Sequence, residues 1–438
     1  MMPKDRYRFL CVTLLMLTTV VCLCLMTVNS GLAEVVTINF WHNYTGPGEQ
    51  VLKEMIKEFE AQHPQIRVNA TFIAITNSFA QMSEKMLTAI AGGNPPDVMV
   101  FNRPYLAEWA MNGALIPLNE YVKKANITKD MYFSFSWNEC LYKGQLYGLP
   151  LNTDTRAFYY NKKLFREAGL DPEKPPKFID ELDAVAEKLT KIVGTRVEQM
   201  GFIPWFFQGY YLFCWTPTFK GQLYDPARER IVVDHPNNVA VFEWFRKYAE
   251  KYNVSYLDTF SSGFGMEAAD PFIMGKVAMK LDGDWALVPL KRYAPDLDFG
   301  VTLIPRPSFG KEKATYAGGW GIVIPKGAKH VDEAFEWARF WSGARAQLKY
   351  CETTYLIPTY KQAASDKVFY KDPRHAVFMK LLPYATGRPA IPVLGTLWDE
   401  IKAATDFVKY GKKTPREALE DIVRAVQPQL DKALGKVK

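Results

Sequence analysis

At 438 residues, with 48% hydrophobic and 23% charged residues, the chain is too long for one hydrophobic core and too apolar for disorder, so two or three lobes are expected. The formal charge is +7; the first 33 residues hold three basic residues and one acid, leaving 51 basic and 46 acidic residues, or +5, on the rest. Interspersed charges of that size exclude a nucleic-acid footprint.

Lys4, Arg6 and Arg8 form a basic n-region, FLCVTLLMLTTVVCLCLMTV an apolar h-region, and GLA (Gly31 to Ala33) a cleavage site of small residues. Residues 1–33 therefore predict a cleaved export signal, with the mature chain starting near Glu34. The h-region is also long enough to serve as an uncleaved anchor. Beyond it lie Cys140, Cys214 and Cys351. An odd, widely spaced trio does not make a disulfide framework, although one pair can form outside the cytoplasm.

VVTINFWHNYTG predicts a buried strand ending in polar and glycine residues, followed by a helix from about Gly48 to His63 with Val51, Leu52, Met55, Ile56 and Phe59 on its apolar face. IRVNATFIAI is the next strand and FAQMSEKMLTAIAGG a second amphipathic helix closed by glycines. DVMVF, from Asp97, is a third strand, with a helix from about Tyr105 to Met111 after it. Strand, helix, strand, helix, strand implies parallel β with crossover helices, and ligands of such sheets sit beyond the carboxyl ends of the strands. Phe101, Asn102 and Arg103 are thus where a ligand is expected. Asp97, at the other end, is expected to be structural.

GQLYGLPLNTDTRAFYYNKKLFREAGL predicts an extended segment running through Pro150 into the strand RAFYYN and a short helix, the pattern of a piece that crosses between two lobes. Helices follow near Phe178 to Val193 and Asn237 to Tyr252, with the aromatic-dense FIPWFFQGYYLFCWTPTF between them. GKVAMKLDGDWALVPL, DFGVTLIPRP and AGGWGIVIPKGAKH contribute strands, and the C-terminal part is helical. No repeat at solenoid periods is visible.

The chain has no Walker A, GxGxxG, HExxH or GxSxG motif, and its five His are scattered. A metal site has little support, and no cofactor is expected. Asp282 and Asp284 in LDGDW, and Asp154 with Glu139, are paired carboxylates of the kind glycoside hydrolysis uses; a turn after a strand is the plainer reading of DGD. Tyr159 and Tyr160 resemble a phenolate pair for ferric iron, but their strand setting favours core packing. Trp41, Trp285 and Trp320 each follow a predicted strand. Sugars are held by stacking an apolar C–H face on Trp or Tyr while Asp, Asn and Arg bond the hydroxyl rim. Three Trp at strand-to-loop junctions favour such platforms over core packing, and for Trp205 and Trp215 the two readings stay open.

INFWHNYTG, GNPPDVMVFN, LYGLPLNTDTRAFYYNKKLFREAGLDP, FIMGKVAMKLDGDWAL, FGVTLIPRP, YAGGWGIVIPKGAKHVDEAFEWARFW and TTYLIPTY, in this order, resemble family 1 extracellular solute-binding proteins, the carbohydrate receptors of ABC importers. The resemblance implies an α/β, two-lobed periplasmic-binding-protein fold (type II) that closes on ligand. It implies residues 34–149 and 301–348 as lobe 1, and 150–300 and 349–438 as lobe 2. It places Trp41, Asn43, Tyr44, Phe101 and Asn102 on one wall and Asn152 and Asp154 near the crossing, with Trp285, Gly319, Trp320, Tyr355 and Arg388 opposite. Trp205 joins this ligand-binding set as the open case above. Trp285 falls where the maltose receptor stacks its sugar, which favours a neutral mono- or oligosaccharide. Tyr355 and Arg388 fall where glycerol-phosphate receptors hold their anion, which makes a phosphorylated polyol or phosphodiester the rival. The implied protein is a periplasmic or surface-exposed monomer without catalysis, serving a permease pair with a cytoplasmic ATPase; a secreted glycosidase using Asp154, Asp282 or Asp284 is the competing class.

Overall fold

The computed structural model describes residues 34–74, 79–207 and 212–437. The export signal, and Gln208 to Tyr211 of the aromatic-dense loop, lie outside the described residues. β1 (Val36–His42) alternates inward Ile38, Phe40 and His42 with more exposed positions, as a strand covered on one side must. α1 (Gly46–Gln62) starts after Thr45 with proline in its first turn and buries Val51, Leu52, Met55 and Phe59 against the sheet. β2 (Ile66–Phe72), α2 (Phe79–Ala91) and β3 (Val98–Asn102) complete the expected alternation, and α3 (Leu106–Met111) follows a single 3-10 turn. β1 lies parallel to both β2 and β3.

Asp97 has the structural role expected of it. Its carboxylate accepts from the backbone N–H of Asn39 at 2.8 Å, Lys329 at 2.9 Å and His330 at 3.0 Å, tying β1 to the start of a distant helix.

β4 (Gly148–Asn161) is buried along its whole length. Alternation sends Phe158 and Tyr160 into one apolar cluster and Ala157 and Tyr159 into another, while Leu149 and Leu151 at its start belong to a third. Both tyrosines are therefore core residues. α4 (Ile179–Leu189) and α5 (Pro236–Tyr252) follow, then β5 (Met279–Gly283), β6 (Phe299–Thr302) and β7 (Thr315–Val323). β7 runs antiparallel between β3 and β4, so the main sheet reads β2, β1, β3, β7, β4, β5. Like β4, β7 passes between clusters: Tyr316 lies in the one that holds Phe213, Leu281 and Leu397, whereas Ile322 and Val323 lie in the one that holds Phe40, Val100 and Trp337. Ile304 also lies in the former cluster. The chain closes with α6 (Val331–Trp341), α7 (Ala344–Thr354), α8 (Pro373–Leu381), α9 (Leu394–Lys409) and α10 (Pro415–Ala433). Cys140, Cys214 and Cys351 are buried free thiols, one in each cluster. Burial pushes the Cys140 and Cys214 thiols up to about 12.

Candidate functional site

The strand register brings the predicted polar residues together. Trp320 on β7 pairs with Asn102 at the end of β3 and with Asn152 on β4, and two residues earlier Gly318 pairs with Asp154. Gly318 permits close approach: a Cβ there would lie 3.0 Å from Arg388 Nη2 and 3.1 Å from Asp154 Oδ1. Gly319 has φ +128, a conformation L side chains rarely adopt.

Beneath this row lies Arg103, wholly buried on the turn after β3. Its Nε donates to Glu139 Oε2 at 3.0 Å, Nη1 to the carbonyls of Asn152 and Trp320, and Nη2 to the carbonyl of Gly318 at 2.6 Å. The expectation that Phe101 and Arg103 present themselves to ligand is corrected here. Arg103 is used up inside, and Phe101 is fully buried with its edge toward Trp109. Only Asn102, half-buried, remains open at this strand end.

Asp154 accepts from Gly318 N–H at 2.8 Å and is ion-paired with Arg156. The Arg156 guanidinium lies 4.8 Å from the Trp285 ring centroid and 4.6 Å from that of Tyr316. Asp284, wholly buried, accepts from Thr155 N–H at 3.3 Å and Trp285 N–H at 2.8 Å. Burial, reinforced by the Asp154 charge and opposed by Arg156, raises its carboxyl well above the usual range. Asp282 is ion-paired to buried Lys280 at 2.9 Å. Arg388 donates through its backbone N–H to Glu139 Oε1 at 3.0 Å and through Nη2 to Asn102 Oδ1 at 3.2 Å, and its buried Nε has no hydrogen-bond partner.

Trp41, near the end of β1, and Asn43, just beyond it, are half-buried. Lys85 Nζ stands 5.5 Å from the Trp41 ring, and Asn43 Oδ1 lacks a partner. Tyr44 is buried; its hydroxyl accepts from Trp341 Nε1 at 2.8 Å, and it shares with Asn152 the lining of a cavity of about 10 Å³, room for one water.

A scan of known families matches residues 45–348 to the model described as bacterial extracellular solute-binding protein. The chain belongs to this family. It is 26% identical over 398 residues to the maltotriose-binding protein of Pyrococcus abyssi (strain GE5 / Orsay), covering 89% of this chain and 81% of that one. Against the sn-glycerol-3-phosphate-binding periplasmic protein UgpB of Escherichia coli (strain K12), identity is 25% over 424 residues, with 89% and 91% covered. The solved structure of CpMnBP1 with mannotriose bound matches with a TM-score of 0.80 and 32% identity over 89% of this chain and 99% of that one. The two-lobed type II periplasmic-binding-protein fold is thereby shown.

Within this solute-binding protein, two predicted site residues stand apart from the central group. Trp205 is buried in the cluster of β4 and α5, edge-on to Phe245. Tyr355 caps α7 with φ +61; its carbonyl meets His375 Nε2 at 2.8 Å, and Lys291 Nζ lies 4.3 Å from its ring. Arg156 and Tyr316 were not singled out from sequence, although a signal existed. Counting by twos along a strand from Asp154 reaches Arg156, and from Gly318 back reaches Tyr316.

Proposed function

We propose that this solute-binding protein captures a neutral mono- or oligosaccharide and delivers it to an ABC permease pair driven by a cytoplasmic ATPase. The observation that carries this is the pairing of half-buried Trp320 with Asn102, which Arg388 reaches, next to half-buried Trp285 held by the Arg156 that pairs with Asp154: rings for a C–H face beside groups for hydroxyls. Trp41, Asn43, Tyr44, Asn152 and Gly319 extend the site and Phe101 lies beneath its strand end, while Tyr355 and Trp205 stand outside the central group. The sugar-bound CpMnBP1 structure and the maltotriose-binding relative favour the same ligand class.

The protein acts as a monomeric, exported receptor without turnover. Its paired carboxylates are engaged by Arg156, Lys280 and backbone amides, a poor arrangement for an acid and a base flanking a glycosidic bond. The lobes comprise residues 34–149 with 301–348, and 150–300 with 349–438, save that Ile304 and Tyr316 pack with the second, so that the return crossing falls within β7 as the outward one falls within β4. Closure informs the importer because ligand binds the closed state better.

A phosphorylated polyol is the second reading, favoured by the buried, unpaired Nε of Arg388 and by the UgpB relative. A thermal-shift panel of mannobiose, maltotriose and glycerol-3-phosphate on the mature protein separates the two. Ligand at about 100 times its dissociation constant adds roughly 2.7 kcal/mol of stability. A shift with glycerol-3-phosphate alone would replace the sugar assignment, and reducing ends released from an oligosaccharide would overturn the receptor assignment.

A further inference from the structure

Trp285, Arg156, Tyr316, Arg388 and Trp398 form an alternating run of rings and guanidinium groups. Arg156 Cζ lies 4.8 Å from the ring centroid of Trp285 and 4.6 Å from that of Tyr316, and Arg388 Cζ lies 5.5 Å from those of Tyr316 and Trp398. Trp398 in turn stacks on Phe213 at 5.0 Å, which anchors the run in the interior of the second lobe. Tyr316 stands in the middle. It is buried and its hydroxyl has no hydrogen-bond partner, so it serves through its ring face rather than its phenol oxygen.

We infer that Tyr316 is a positioning residue for the ligand, acting through the two arginines it carries. Arg156, fixed at one end by Asp154, holds the Trp285 ring. Arg388 reaches across to Asn102 at the end of β3. A planar guanidinium stacks on a ring face, which an ammonium or an aliphatic chain does not reproduce. The Tyr316 ring therefore sets the spacing between a stacking platform on one wall and a polar contact on the other. That spacing selects a pyranose whose apolar face and hydroxyl rim are met together. The effect on binding rests on the sugar-receptor reading; the effect on the Trp285 ring does not.

The test uses mature protein labelled with fluorotryptophan, with the Trp285 fluorine resonance assigned by its loss in Trp285→Phe. Tyr316→Phe keeps the ring, and is expected to leave both this resonance and mannobiose affinity by calorimetry within about twofold of wild type. Tyr316→Leu is expected to shift or broaden the Trp285 resonance in the free protein and to weaken mannobiose roughly tenfold or more. Should Tyr316→Leu fail to fold, Arg156→Lys takes its place, keeping the charge beside Asp154 while losing the planar stack, with the same displacement expected. An unmoved Trp285 resonance in these variants would overturn the inference, as would equal losses in Tyr316→Phe and Tyr316→Leu. A displaced resonance in a protein that binds neither mannobiose nor maltotriose would support the positioning role and count against the ligand reading alone.

Discussion

Arg103 and Glu139 meet at 3.0 Å with both side chains out of solvent, and between them they hold the floor of the site. Arg103 binds three backbone carbonyls from β4 and β7, and Glu139 receives the backbone N–H of Arg388. Removing one member leaves the other charge buried and unmatched. Glu139→Ala is expected to cost about 3–5 kcal/mol of stability in urea unfolding. A loss under 1 kcal/mol would mean that water reaches Arg103.

Gly319 combines φ +128 with a crowded position, where a Cβ would press on the Asn152 carbonyl and the Arg103 guanidinium. Gly319→Ala must distort both the backbone and the row that joins Asn102, Trp320 and Asn152. A loss of about 2–3 kcal/mol is expected, with weaker ligand binding at temperatures where the variant remains folded. Gly144, also positive in φ at +76 but with nothing near its missing Cβ, is the control. Gly144→Ala is expected to cost about 1 kcal/mol and leave affinity unchanged.

Much of this was legible from one chain. The alternation of β1 and the apolar spacing of α1 carry their periods openly, and the extended segment from Gly148 to Asn161, buried at every position, is marked instead by its bracketing glycine and proline. Asp97 preceding a hydrophobic run could be read as an anchor. Less legible was which strand-end side chains face the cleft. Phe101 and Asn102 differ by one position, and only antiparallel pairing with β7, more than 200 residues later, decides that Phe101 points into the core. Arg103 looks like a ligand group in sequence because its partners are mostly backbone carbonyls, which leave no side-chain signature. Trp205 lies in an aromatic-rich loop where core and platform have the same composition.

Asp284 gives a pH dependence whose sign follows from burial. Its folded carboxyl is raised above the usual value of 3.8 by desolvation and by the Asp154 charge. A raised acid favours the folded state fully below the unfolded value, and that contribution disappears as pH rises through the folded value. The stability of wild type relative to Asp284→Asn is therefore expected to fall as pH is raised from about 4 to 7. Urea midpoints of both proteins across this range check it. A difference independent of pH would show that Asp284 titrates normally.

Trp285 is the residue on which the ligand reading is most exposed. Arg156 lies against its ring and its benzo edge rests on Gly283, so the ring is held in place before ligand arrives and little ordering is required on binding. It is also only half-buried, packed on the edge of its cluster, so truncation removes contact area from the site while the cluster beneath stays intact. Trp285→Ala is expected to weaken a neutral oligosaccharide by about tenfold to a hundredfold, about 1.4–2.8 kcal/mol, while lowering the melting temperature of the free protein by only a few degrees. Phenylalanine at the same position should recover part of the affinity because a smaller face still stacks. Glycerol-3-phosphate offers no face to stack. If it binds wild type and Trp285→Ala equally well while neutral sugars bind neither, Arg388 rather than Trp285 is the centre of recognition, and Arg388→Ala should then abolish binding.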